Sequence, residues 1–184
     1  MSSVVISGDT SGTVTVTVPA VAGTNTATLP AATGTVMVSG NMPAFSAYAN
    51  ATQSLTSNVA TKVAINTKIF DTNNNFGATT NYRFQPTVAG YYQVNGSIYF
   101  TASANATQVI AIIYKNGGNW LWGNNSAMTD QATTQIVSTI MYLNGSTDYI
   151  ELYAYSFQGT SVSINATAGQ YISSNFSATL VRAA

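Results

Sequence analysis

Four carboxylates and two tryptophans carry most of the chemistry open to this chain. Asp71, Asp130, Asp148 and Glu151 are the candidate acids, and a pair of carboxyl groups can cleave a glycosidic bond. Asp148 and Glu151 stand three apart, so on a regular strand they point to opposite faces, which disfavours them as a pair. Turn or interface acids are the expected role. Asp71-x-Asn73-x-Asn75 has the spacing of half a calcium loop. Its sixth position is Phe76 instead of glycine, and its twelfth is Tyr82 instead of a bidentate glutamate. An Asx-rich turn is expected there, and no metal. The chain has no His and no Cys. That removes a Ser-His-Asp triad, a cysteine nucleophile and a His or Cys zinc site. No phosphate-cradling glycine loop with its lysine is present either. No catalysis and no cofactor are expected. Trp120 and Trp122 remain as candidates for glycan contact, in what reads as a loop after a hairpin. Packing inside an oligomer, or capping of the core, is the stronger expectation for them.

The elements that must position these residues read as short strands. From Tyr92 the even positions are Tyr92, Val94, Gly96, Ile98 and Phe100, and the odd ones are mostly polar, the alternation of a half-buried strand. Pro86 and Gly90 frame the turn before it, where proline fixes φ and glycine can take φ > 0. Thr61 to Phe70 alternates too, with Val63, Ile65 and Ile69 on one side and Lys62 and Lys68 on the other. Asn116-Gly117-Gly118 is a hairpin turn signal. Gln108 to Tyr114 is apolar on both faces, with Val109, Ala111 and Ile113 on one and Ile110, Ile112 and Tyr114 on the other. One face of an antiparallel sandwich should meet water, so a second buried surface is expected, such as a subunit interface. Tyr149, Tyr153, Tyr155 and Phe157 form an aromatic stripe further on. Edge packing and a sugar-stacking platform are the alternatives to an interface for that stripe. No capped helix with apolar 3.6-residue spacing is found. Many short strands between Gly and Asn turns predict an all-β sandwich or barrel.

The 184 residues suit one medium domain and an appendage. Charge is scarce, with five basic and five acidic residues and net zero. A freely soluble monomer carries more surface charge than this, so a life in an assembly is expected. Lys62, Lys68, Arg83, Lys115 and Arg182 are dispersed in sequence, which argues against nucleic acid as a partner. Without cysteine, stability rests on packing and association. Met1 to Asp9 has no basic region and no long apolar run. It does not read as a signal peptide, and no membrane span is expected, so synthesis and assembly in a cytoplasm are expected.

Residues 1–43 read as a separate region, bounded by the Gly40-Asn41-Met42-Pro43 break. Val14, Val16 and Val18 alternate with threonine as in a strand. Val18-Pro19-Ala20 and Leu29-Pro30-Ala31 begin two similar units, each running to a Gly-Thr turn. The region holds too few large apolar residues for its own core and must lie on something else, unless it is a flexible linker. Val14, Val16, Val18, Pro19, Leu29 and Pro30 are the expected attachment contacts. The wording GTVTVTVPAVAGTNTATLPAATGTV resembles a segment that recurs in bacteriophage structural proteins, near the virion-attached end of fibres and decoration proteins.

Residues 44–184 carry a second resemblance. Phe84-Gln85-Pro86-Thr87-Val88-Ala89-Gly90-Tyr91-Tyr92 is similar to the signature of the C1q-like domain, whose jelly-roll trimer is shared in outline with tumour necrosis factor. Phe70-Asp71 with its Asn-rich loop, Tyr114-Lys115-Asn116-Gly117, Leu143 to Leu152 and Phe176-Ser177-Ala178-Thr179-Leu180 resemble further family segments, in order. The Ser146-Thr147 insertion and Ala178, where glycine is usual, depart from the pattern and put strand register in question. The resemblance implies an antiparallel jelly-roll sandwich and a homotrimer. It makes Val109, Ala111, Ile113, Tyr149, Tyr153, Tyr155 and Phe157 the expected trimer interface. Together the two resemblances imply a virion protein on the outer capsid surface. It would be a decoration or cement protein bound to the major capsid protein through its arm. A receptor-binding fibre knob that recognises host-surface glycan is the alternative.

Overall fold

The structure is a computed structural model that describes residues 3–29, 31, 33–34, 36–101, 107–128, 130–157, 162–166 and 172–184. It divides into two compact units, Met1–Gly34 and Thr35–Ala184. The division falls before the Gly40–Pro43 break. Residues 36–43 join the larger unit because Asn73 donates to the Gly40 carbonyl (3.0 Å), Leu180 N donates to the Pro43 carbonyl (3.0 Å) and Met37 packs on the core.

The smaller unit is a hairpin of β1 (Ser3–Ser7) and β2 (Thr13–Thr17). Val4 faces Val16 and Ile6 faces Val14, so one side is aliphatic. Ser3, Thr17, Val5, Thr15, Ser7 and Thr13 make the other, mostly hydroxylated side. Every described residue from 3 to 34 is exposed. Pro30, one of the expected contacts, lies outside the described residues.

Among its described residues the larger unit is all-β apart from one 3₁₀ turn at Ser39–Asn41. Its short strands are β3 (Ala44–Tyr48), β4 (Gln53–Ser54), β5 (Thr61–Lys62), β6 (Thr67–Asp71), β7 (Phe76–Gly77), β8 (Arg83–Phe84) and β14 (Ser163–Ile164). The long ones are β9 (Gly90–Phe100), β10 (Gln108–Lys115), β11 (Gly118–Ser126), β12 (Thr133–Leu143), β13 (Ile150–Phe157) and β15 (Asn175–Ala183). One sheet runs β11-β10-β13-β8-β7, with β5 also on β13. The other runs β4-β14-β9-β15-β3-β6, with β12 also on β9. Every pairing is antiparallel.

The core between the sheets is organised on an aromatic cluster. Phe45 stacks on Phe76 (4.5 Å) and Phe84 (4.6 Å), and meets Phe176 edge-on. Phe84 in turn meets Tyr92 edge-on at 5.7 Å. The even positions of β9 fill the core: Tyr92, Val94, Ile98 and Phe100 are fully buried. Tyr92 donates its hydroxyl to the Val88 carbonyl (2.7 Å) and so ties the turn to the strand. Gly90 does not take a positive φ, contrary to the sequence expectation. Glycine is required there by close approach, since a Cβ would meet the Arg182 carbonyl.

The alternation expected across Thr61–Phe70 breaks into β5 and β6. Val63 and Ile65 are buried, but Ile69 is exposed, because a bulge opposite Ser46/Ala47 shifts the register of β6. Ala178 keeps regular pairing with Val94 and Phe45, and the register of β15 shifts only between Leu180 and Arg182.

β10 resolves the two-faced strand. Val109, Ala111 and Ile113, expected at a subunit interface, are fully buried in this chain's own core. Ile110 and Ile112 on the opposite face are also buried within the single chain, with Trp122, Tyr153 and Tyr155 as their neighbours in register. Large side chains on adjacent strands supply the second covering.

Candidate functional site

The outward face of the β11-β10-β13-β8 sheet is a ribbon of aromatic rings and ion pairs. Asn116 and Gly117, both at positive φ, make the tight turn that lays β11 against β10. Trp120 and Trp122 therefore sit on a strand, not in the expected loop. Trp122 shares a face with Ile112, its partner in register, Leu121 packs against the core, and Trp120 falls at a register shift. Trp120 and Trp122 are 57% and 49% exposed. Trp122 tilts against Tyr155 at 5.7 Å, and Tyr114 stacks on Tyr153 at 3.8 Å.

Three cations lie over these rings. The Arg83 guanidinium is 4.3 Å from the Tyr149 centroid, Lys115 Nζ is 5.3 Å from Trp120 and Lys62 Nζ is 5.9 Å from Tyr153. Basic residues dispersed in sequence are thus gathered on one sheet. Two of them are neutralised there. Lys62 pairs with Glu151 Oε1 at 2.6 Å, and Lys115 pairs with Asp148 Oδ2 at 2.9 Å. The ribbon consequently offers rings and hydrogen-bonding edges more than net charge.

Asp71, Asp148 and Glu151 are engaged, whereas Asp130 is exposed. Burial alone would push the Asp148 carboxyl up, but the Asn116 amide, Lys115 and the Asn144 N–H outweigh it and hold the group below its usual range. Glu151 is buried against Lys62. Asp71 accepts from the Asn75 N–H (2.9 Å) and the Phe76 N–H (3.0 Å), and pairs with Lys68 at 2.7 Å. Its loop is an Asx turn whose carboxylate is already satisfied. Among the described residues no three acidic side chains gather as a metal cluster. Burial also raises the Tyr153 phenol, with Glu151, Tyr114 and Tyr149 adding to the effect.

Of the expected residues, the structure brings Trp120, Trp122, Tyr149, Tyr153 and Tyr155 to this ribbon, with Phe157 at the end of β13 on the same face. Arg83, Lys62 and Tyr114 belong to it and were not singled out from sequence as site residues. Their roles depend on β5 and β8, two-residue strands with no periodic signal of their own.

The opposite sheet has a second outward face. Tyr91 and Tyr142 meet edge-on at 5.6 Å, flanked by Ile140 and Ile136, each 57% exposed. Between them Gln93, Asn95 and Ser138 share hydrogen bonds of 2.8–3.1 Å. This centre is uncharged.

No protein-family model matches the chain, and no curated protein matches it in sequence. Solved structures do. The globular domain of zebrafish complement 1qA covers 77% of this chain and 99% of its own, at 16% identity and a TM-score of 0.52. Eiger TNF from S. frugiperda covers 78% and 95%, at 12% identity and a TM-score of 0.59. Murine APRIL covers 76% and 99%, at 8% identity and a TM-score of 0.57. The fold is the C1q/TNF-like jelly roll. Such low identities carry the fold and nothing about ligand or partner. Within this jelly roll the aromatic ribbon lies on one sheet and the neutral apolar face on the other, so two surfaces are open for separate uses.

Proposed function

We propose that this chain is a structural protein of a bacteriophage virion: a trimeric decoration protein that binds the major capsid protein through its N-terminal unit. The carrying observation is the hairpin of β1 and β2. Val4, Ile6, Val14 and Val16 form one aliphatic face, each more than half exposed. An isolated two-stranded hairpin is marginal in water. Such a face gains stability when it lies on another protein, and adding a hairpin to a shell needs no chemistry. Val18, Pro19, Leu29 and Pro30 extend the proposed contact. Three arms on one trimer bind with avidity, so each can be weak alone.

Self-association is assigned to the Tyr91, Ile136, Ile140 and Tyr142 face. Residues placed close to a three-fold axis meet their own copies, and a neutral centre avoids like-charge repulsion there. Deleting residues 1–43 is expected to leave a folded trimer that no longer binds purified capsids. A truncated knob that still decorates shells would refute the arm assignment.

A second reading is favoured by Trp120 and Trp122, whose exposed rings suit stacking on a sugar face. In that case the knob is a fibre tip that recognises host-surface glycan. A glycan array separates the two: a signal that Trp120→Ala and Trp122→Ala abolish supports the fibre tip, and no such tryptophan-dependent signal counts against it.

A further inference from the structure

We infer that a groove beside β7 and β8, which shares Arg83 with the aromatic ribbon, is a saccharide site. The groove measures about 570 Å³ and is walled by Asn75, Phe76, Thr79, Asn81, Arg83 and Thr87 among others, a size suited to small ligands. Three residues of its walls each carry a buried polar atom without a hydrogen-bond partner: Asn75 Oδ1, Asn81 Oδ1 and Arg83 Nε. Buried polar atoms are ordinarily paired, and each orphan costs free energy until a partner arrives.

The local backbone holds these atoms in place. Asn75 donates its amide to the Asn73 carbonyl (3.2 Å), which orients its free oxygen. Asn81 occupies space that any Cβ on Gly77 would take. Tyr82, between Asn81 and Arg83, sits at φ +48°, a left-handed conformation that is costly for an aromatic residue. The Arg83 guanidinium is steadied over the Tyr149 ring.

The chemistry selects the occupant. Two amide oxygens repel a carboxylate or a phosphate, and the guanidinium repels an ammonium. A hydroxyl donates to the amide oxygens and accepts from the guanidinium N–H. Several hydroxyls on one rigid ring describe a sugar. The site goes beyond capsid attachment and does not depend on it. A protein that fails to decorate shells would leave the site untouched.

The test is calorimetric titration of the full chain with glucose, galactose, mannose and N-acetylglucosamine, and with glucuronic acid as an acidic arm. At least one neutral sugar should bind weakly, and Asn81→Leu should reduce that affinity roughly tenfold, as loss of a buried partner does. Thr87 is exposed at the groove, so Thr87→Trp should block binding in a chain that still folds. The inference is overturned by no response at roughly tens of millimolar neutral sugar, or by binding that survives Thr87→Trp. Loss of binding in Trp120→Ala or Trp122→Ala would move the site to the ribbon. Tighter binding of glucuronic acid would make it an anion site instead.

Discussion

The rings of Tyr114 and Tyr153 lie face to face, with centroids 3.8 Å apart and planes 15° from parallel. The two residues are diagonal neighbours, because Tyr114 is paired with Glu151 and Tyr153 with Ile112. The stack closes the outer face of the strand pair over Ile112. A double-mutant cycle of Tyr114→Ala and Tyr153→Ala should give a coupling of about 1 kcal/mol by denaturant unfolding. A coupling near zero would mean the stack contributes only its separate burial.

Alkaline stability should depend on Tyr92. Burial raises its phenol well above the ordinary 10.0. The folded state therefore keeps a proton that the unfolded chain releases as pH passes 10.0. The contribution is complete below that pH and declines as pH climbs above it toward the folded value. Tyr92→Phe should cost about 1 kcal/mol at neutral pH through the lost bond to Val88. It should also flatten the decline above pH 10.0. An unchanged alkaline limb in the variant would assign it to other groups.

Acid stability should depend on Asp148. Its folded pKa lies below the ordinary 3.8, so its contribution is complete above that pH and is lost as pH falls further through the folded value. Asp148→Asn should lower the thermal midpoint at neutral pH and shrink the acid-side loss. A midpoint equal to wild type at neutral pH would mean that the Lys115 pair contributes nothing.

Gly145 should resist substitution. It has φ +70°, and a Cβ there would meet the backbone of Ala89. Its turn is held by Asn144 Oδ1, which accepts from the Ser146, Thr147 and Asp148 N–H groups. Gly145→Ala should cost about 2 kcal/mol or more. Gly34→Ala, where nothing lies within 4 Å, should be close to neutral. Equal midpoints for the two variants would count against the turn geometry.

Ile140→Lys and Ile136→Lys should dissociate the proposed trimer into folded monomers. Both residues are exposed in the single chain, so the fold survives while like charges meet across the symmetric contact. Light scattering after size exclusion reads the mass. Intact trimers in both variants would move the interface to another face.

Much of the sandwich was legible along the chain. The even positions of β9, the Asn116-Gly117 turn and the ordered family-like segments all survive in three dimensions, because period-two burial and tight turns are local properties. The site was legible in part. Trp120 and Trp122 stood out by type, but their strand comes from pairing with β10. Ile69 was misplaced because a bulge is invisible in a hydrophobic pattern.

Sequence alone determined that this protein lacks His and Cys chemistry, that it is built of short strands, and that its N-terminal region cannot cover its own valines. Those conclusions depend only on which residues are present and how they alternate. Tertiary structure decided which apolar face of β10 meets the core and what covers the other. It also decided where three dispersed cations converge, and which polar atoms are left unpaired beside Gly77. Each of those depends on strands distant in sequence lying side by side, and the spacing along one strand does not specify its neighbour.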